Sequence, residues 1–234
     1  MEISGLKIAH RGVFDNKEIP ENSLSAFRKA RALGIPIEFD VQLTKDNIII
    51  VFHDISLKRM CNINNYVQDY TYEELKKLHL LNTSEHIPTL DEVLRLIKGQ
   101  VLLDVELKQT SNYKNLCNLL LKQLKDYPGK VLLKSFHPSI VRYLKKNQTY
   151  PIGLLLTDYP ASKFYSYFIS SSFLIRYCNP DFIAVNKKII KKKRLQKWRT
   201  KKSLFVWTIC DNQEFQLFFP YADSYLCNNL PYKK

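Results

Sequence analysis

Charged side chains stand at alternate positions inside two otherwise apolar runs. In Glu38-Phe39-Asp40 the i, i+2 spacing puts both carboxylates on one face of a strand. In Asp104-Val105-Glu106-Leu107-Lys108 the same spacing aligns positions 104, 106 and 108. Three carboxylates drawn from these runs would offer oxygen ligands to a hard divalent cation such as Mg²⁺ or Ca²⁺. Two further runs end in histidine, as His10-Arg11-Gly12 and His53-Asp54, and a histidine pair works as general acid and base near neutral pH. Arg11 and Lys108 supply positive charge for an anionic substrate, the arginine as a bidentate fork. Each piece is weak alone; together they match metal-assisted cleavage of a phosphate ester.

Such residues need a scaffold that brings strand ends together. Strand patterns fall at 6–10, 35–41, 48–53, 101–108, 131–136, 152–156, 182–185, 204–209 and 224–227. Several are continuously apolar, as in parallel strands covered on both faces. Helical patterns alternate with them at 23–33, 113–126, 139–146, 161–176 and 187–201. Thr71 with Glu74 and Thr89 with Glu92 read as capping boxes, Asp211 with Glu214 as a further cap, and Gly99 as a helix stop. Asn22 reads as a cap for the first helix or as a contact to Arg11. Strand–helix alternation to the end of 234 residues predicts an α/β fold, a (β/α)8 TIM barrel whose active site lies at the strand C-termini. Nine strand runs are one too many. Thr44-Lys45-Asp46-Asn47 accounts for the surplus as a hairpin turn, because Asp-Asn tolerates positive φ without glycine. We expect a single domain over 1–234, with a small insertion at about 55–88 after the third strand run.

The chain has 36 Lys and Arg against 22 Asp and Glu, a net charge of +14. Ten of the basic residues lie in 187–202, which has no acid, so the rest carries about +4. That run reads as a solvated basic face or as a peripheral contact with an anionic membrane. No metal finger, RNP-like strand or helix-turn-helix pattern points to nucleic acid. The aromatics Phe164, Tyr165, Tyr167, Phe168 and Phe173 read as a buried helix face. Five cysteines without close pairing, and a start without a basic segment and apolar h-region, lead us to expect a soluble cytoplasmic protein with reduced thiols. Oligomeric state has no sequence signal.

The order of motifs resembles the glycerophosphodiester phosphodiesterase family. The resemblance runs through Ala9-His10-Arg11-Gly12, Pro20-Glu21-Asn22-Ser23, Ile37-Glu38-Phe39-Asp40-Val41, Leu43-Thr44-Lys45-Asp46 and Phe52-His53-Asp54. It continues through Ile87-Pro88-Thr89-Leu90-Asp91-Glu92, Glu106-x-Lys108, Ser135-Phe136 and Val206-Trp207-Thr208. It implies a divalent-cation enzyme that hydrolyses glycerophosphodiesters to glycerol 3-phosphate and an alcohol. By resemblance, Glu38, Asp40 and Glu106 bind the metal, and His10 and His53 are the acid/base pair. Arg11 and Lys108 hold the phosphate, and Trp207 faces the glycerol. The family mechanism implies attack by the adjacent glycerol hydroxyl, then opening of a cyclic phosphate by water.

Departures gather late in the chain. Residues 221–229 lack the family's usual glycine, and Cys210 stands where asparagine is common. They bear on the leaving group rather than on the carboxylates or histidines. Two other readings stand beside the soluble hydrolase: a lysophospholipase D-type enzyme at a membrane, and a non-enzymatic basic barrel that binds anionic lipid or nucleic acid.

Overall fold

The computed structural model describes residues 3–158 and 172–228. They fall into two compact units: Ala9–Val131 forms one, and the described parts of Met1–Ile8 and Leu132–Lys234 form the other.

In the first unit, Ala9 and His10 at the end of β1 (Lys7–His10) pair in parallel with Ile37 and Glu38 of β2 (Ile37–Leu43). On the other edge of β2 runs β4 (Leu103–Leu107), also parallel, from Ile37 opposite Leu103 to Val41 opposite Leu107. The short β3 (Ile49–Val51) comes back antiparallel against Val41, Gln42 and Leu43. Since β4 already occupies one edge at Val41, β3 takes the edge that β1 leaves after Glu38. The surplus strand is therefore the hairpin return that the sequence predicts. Its turn closes as Asn47, at φ 62°, donates its N–H to the Thr44 carbonyl at 3.1 Å. The Thr44 hydroxyl donates to Asp46 at 2.6 Å and accepts from the Ile48 N–H at 2.9 Å. Asparagine takes over glycine's role widely here: six of the nine described non-glycine residues with positive φ are Asn.

The first helix, α1 (Leu24–Ala32), buries Ala26, Phe27 and Ala30, and Phe27 lies 5.6 Å from the ring of Phe39. Its cap is Ser23, which accepts from the Ala26 N–H at 3.2 Å, rather than the expected Asn22. Gly12 lets the loop after β1 approach this helix: at φ 85°, a Cβ there would lie 2.8 Å from that of Ala26. Between β3 and α4 (Leu90–Ile97) lies the insertion, with α2 (Lys58–Cys61) and α3 (Tyr72–Leu75). Its Leu57, Met60, Val67, Leu75, Leu80 and Ile87 pack with Ile50 and Phe52 in one apolar cluster. Thr89 caps α4 reciprocally with Glu92, at 3.2 and 2.7 Å. That helix ends in a two-residue left-handed turn, Lys98 before the expected Gly99. The unit closes with α5 (Tyr113–Leu124).

The second unit, which takes β5 (Val131–Ser135) from its second residue on, repeats strand and helix: α6 (Pro138–Asn147), β6 (Ile152–Leu156), α7 (Ser172–Cys178), β7 (Phe182–Asn186), α8 (Lys193–Gln196), β8 (Ser203–Ile209), α9 (Asn212–Phe218) and β9 (Ser224–Cys227). Successive strands pair in parallel from β5 to β9. Asp211 caps α9 by accepting the Glu214 N–H at 2.8 Å.

Two expectations need correction here. The helix expected over 187–201 is a single turn, α8. Lys187/Lys191, Lys188/Lys192 and Lys193/Lys197 would repel as i, i+4 neighbours on a longer helix. Instead Lys187 ion-pairs with Glu214, and Arg199 with Asp223 at 2.8 Å. Of the expected aromatic face, Phe164, Tyr165, Tyr167 and Phe168 lie outside the described residues. Phe173 is 59% exposed, its ring stacked on Tyr177 at 6.0 Å. Among the described residues no helix is long and apolar enough to cross a membrane.

Candidate active site

Register alone brings the first groups together. Parallel pairing sets His10 opposite Glu38, Asp104 opposite Glu38 on the far edge, and Asp40 opposite Glu106. Glu38, Asp40 and Glu106 are all buried, and one carboxylate oxygen of each lies within 4.8 Å of those of the other two. Like charges so close, away from water, need a cation. Lys108 supplies one, with Nζ 2.7 Å from Asp40 Oδ1 and 2.6 Å from Glu106 Oε1. Arg11 adds a second, with Nε 3.5 Å from Asp40 Oδ2. Burial pushes the Asp40 carboxyl up, but Lys108, His53 and Arg11 outweigh it and hold the group well below the usual carboxylate range. Burial likewise lowers Lys108, and Asp40 and Glu106 more than reverse it.

The backbone after β1 is bent to fit this cluster. Arg11 sits at φ 59° and Asn22 at φ 56°, a region that costs a side chain about 1–3 kcal/mol. The Arg11 N–H donates to Glu38 Oε2 at 3.1 Å, and the Asn22 N–H donates to the Arg11 carbonyl at 3.0 Å. Asn22 then donates from Nδ2 to Asp40 Oδ2 at 2.9 Å. Its side chain thus serves the carboxylate cluster, and its contact to Arg11 is through backbone.

A second tier of ion pairs surrounds these groups. Glu21, 5% exposed, accepts from Arg11 Nη1 at 2.7 Å and from Asn16 Nδ2 at 3.1 Å. Arg59, carried by α2 of the insertion, donates to Glu21 from Nη2 at 2.7 Å and from Nη1 at 3.1 Å. The same guanidinium donates to Asp54 from Nε at 2.7 Å and from Nη2 at 3.0 Å. Asp54 in turn meets His53 Nδ1 at 2.6 Å. Burial raises the Glu21 carboxyl, but Arg59 and Arg11 bring it down to about 2. His10 lies with Nε2 4.0 Å from Glu38 Oε2.

Seven of the eight candidate residues therefore lie in the first unit: His10, Arg11, Glu38, Asp40, His53, Glu106 and Lys108. Trp207 lies on β8 of the second unit, half-buried, with its ring edge-on to Phe136 at 5.6 Å.

Residues 10–228 match the model of the glycerophosphoryl diester phosphodiesterase family. The chain belongs to this family. A glycerophosphodiester phosphodiesterase of Caldanaerobacter subterraneus subsp. tengcongensis is 40% identical over 162 residues, 64% of this chain and 66% of that protein. One from Bacillus subtilis is 26% identical over 218 residues, 80% of this chain and 71% of its own. The matched stretch thus spans just under two thirds of the Caldanaerobacter relative. Among solved structures, an Oleispira antarctica phosphodiesterase in complex with the product sn-glycerol-3-phosphate superposes with a TM-score of 0.80 at 21% identity, over 96% of this chain and 93% of that one. The Thermotoga maritima glycerophosphodiester phosphodiesterase gives 0.76 at 24%, over 97% and 96%. The fold of this family member is thus the expected (β/α)8 barrel.

Sequence reasoning passed over two members of the ion-pair tier in this phosphodiesterase-family chain. Glu21 carried a signal, an acid between Pro20 and Asn22 in a motif already singled out. Arg59 carried none, because only the folded insertion brings position 59 to position 21.

Proposed function

We propose that this chain hydrolyses glycerophosphodiesters to glycerol 3-phosphate and an alcohol. The observation that carries the reading is the buried Glu38–Asp40–Glu106 cluster, with one carboxylate oxygen of each within 4.8 Å of those of the other two and already gripping the ammonium of Lys108. An all-oxygen, buried, anionic donor set fits Mg²⁺ or Ca²⁺, and these three residues would hold the ion. When bound, the ion supplies Lewis-acid stabilisation of charge on the phosphoryl oxygens. The product held by the Oleispira relative supports glycerol 3-phosphate as the product here.

The protein's own groups supply the rest. Arg11 and Lys108 bind the phosphoryl oxygens and offset charge that grows in the transition state. Asp54 lies 2.6 Å from His53 Nδ1 and accepts its hydrogen bond, so proton exchange with substrate falls to Nε2. His10 and His53 divide two proton transfers. One takes the proton of the glycerol hydroxyl next to the ester as that oxygen bonds to phosphorus. The other protonates the alcohol oxygen whose bond to phosphorus breaks. Water then opens the cyclic phosphate with the two roles reversed, which leaves glycerol 3-phosphate. Trp207 is assigned to the glycerol on resemblance.

The test is release of glycerol 3-phosphate from glycerophosphocholine, glycerophosphoethanolamine and glycerophosphoglycerol. Release from at least one is expected. Failure on all three, with cleavage of lysophosphatidylcholine instead, would replace this reading by the lysophospholipase D one.

A second observation supports an anionic membrane surface as the place of work. Arg176, Lys193, Arg194, Lys197 and Lys201 line a cavity of about 450 Å³ with Ser172 and Trp198. Phe173 and Tyr177 of the neighbouring α7 are 59% and 48% exposed. Clustered cations with exposed aromatics suit a surface of anionic lipid. Co-sedimentation with vesicles containing phosphatidylglycerol, lost in high salt and absent with phosphatidylcholine alone, is the expected result; salt-insensitive or equal binding would contradict it.

A further inference from the structure

We infer that Arg59 is a positioning residue that ties the His53 arm of the site to the Arg11 arm; the inference rests on the hydrolase reading above. Its guanidinium uses two different edges. Nε and Nη2 take both oxygens of Asp54, at 2.7 and 3.0 Å, and Nη1 and Nη2 take both oxygens of Glu21, at 3.1 and 2.7 Å. Each carboxylate also holds a proposed working group, through the oxygen that Arg59 Nη2 bonds: Asp54 Oδ1 meets His53 Nδ1 at 2.6 Å, and Glu21 Oε1 meets Arg11 Nη1 at 2.7 Å. One planar group thus fixes the spacing between the imidazole and the phosphate-binding guanidinium.

Surface ion pairs contribute little as a rule, and the Arg59 side chain is 44% exposed. Its value here lies in geometry. Among the described residues, the Asp54 carboxylate is bonded only to His53 and Arg59. Held by His53 alone, it would turn with the ring that it is meant to orient. Two bidentate contacts from one guanidinium restrict that freedom, and an ammonium at the same place could not make both. The insertion delivers the group: Met60, next in the chain, is 3% exposed in the cluster with Ile50 and Phe52. Folding of the insertion on β3 is what sets the guanidinium between Asp54 and Glu21.

The test compares Arg59→Ala and Arg59→Lys in the full chain with glycerophosphocholine. Loss of a residue that orients working groups typically costs about 10–100-fold. The expected result is that loss chiefly in kcat, with KM within about threefold of wild type, because the role inferred for Arg59 is to orient working groups rather than to bind substrate. Lysine should not restore it. In an Asp54→Asn background the same alanine change should cost clearly less than in wild type, since its route through His53 is already broken and only the route through Glu21 to Arg11 remains. Turnover of Arg59→Ala within about twofold of wild type, or losses that simply multiply, would overturn the inference. A second readout is independent of activity: the Nδ1–H resonance of His53 in ¹H–¹⁵N spectra should be observable in wild type and lost in both variants. Its persistence unchanged would also overturn the inference. If the alanine variant does not fold, Arg59→Lys decides by both readouts. Absence of glycerol 3-phosphate release by wild type would count against the hydrolase reading, and the resonance would still decide the role of Arg59.

Discussion

Asp40 and Glu106 face each other across the parallel pairing of β2 and β4 and share one ammonium, Lys108 Nζ, at 2.7 and 2.6 Å. The strand register that makes them neighbours also makes them repel, so Lys108, two residues beyond Glu106, is part of the condition for burying them. With Glu38 a third buried acid beside them, the cluster is still anionic and suited to a second, divalent charge.

Lys108→Met should therefore cost stability as well as activity. A buried ion pair broken from one side typically loses about 3–5 kcal/mol. Thermal unfolding should show a lower midpoint, partly restored by millimolar Ca²⁺ or Mg²⁺, because an ion that binds only the folded cluster stabilises it. An unchanged midpoint without metal would contradict this electrostatic account.

Asn22 combines a left-handed backbone with a hydrogen bond to Asp40, at φ 56° and 2.9 Å. Asn22→Gly keeps the backbone and removes the bond; Asn22→Ala removes the bond and adds strain of about 1–2 kcal/mol. Both should weaken divalent binding by about 10–100-fold, and alanine should be the less stable of the two. Calorimetric metal titration and urea unfolding measure the two effects separately. Equal stability would show that backbone strain is unimportant there.

Acid should act on the Arg11–Glu21–Arg59 bridge over a defined window. The Glu21 carboxyl is lowered from 4.5 to about 2. A lowered carboxyl adds stability that is fully present above its unfolded value, near 4.5, and lost as pH falls through about 2. The shift corresponds to about 3 kcal/mol. Glu21→Gln should be less stable at pH 7 and lose less than wild type between pH 4.5 and 2. Parallel urea-unfolding profiles of the two proteins over that window would refute the linkage.

Removal of either imidazole should cost rate rather than binding. His10→Ala and His53→Ala are each expected to lower kcat by about 10²–10⁴-fold. If either variant turned over glycerophosphocholine within a few-fold of wild type, that histidine would have no proton-transfer role.

What could be read in advance follows the range of the interactions. The i, i+2 carboxylates at 38 and 40 and the alternate positions 104, 106 and 108 carry strand periodicity, so their shared faces were visible without coordinates. Asp46-Asn47 gave away the hairpin, and hence the eight-plus-one strand count, because Asn tolerates positive φ. Asn22 and Ser23 are equally good caps by residue type, and only the φ of 56° at Asn22 hands the cap to Ser23. The run 187–201 shows where periodicity misleads: apolar Ile189, Ile190 and Leu195 are buried, but like charges a turn apart and partners such as Glu214 and Asp223 break the helix. Arg59 could not be read at all, since its two carboxylates are set by the fold of the insertion.

The measurement closest to the central claim is glycerol 3-phosphate release from glycerophosphocholine in EDTA, Mg²⁺ and Ca²⁺, for wild type beside the folded Glu38→Gln/Glu106→Gln variant. The account predicts release by wild type that EDTA abolishes and one of the two cations restores, with none from the variant under any condition. Release that survives EDTA, or a variant as active as wild type, would contradict it.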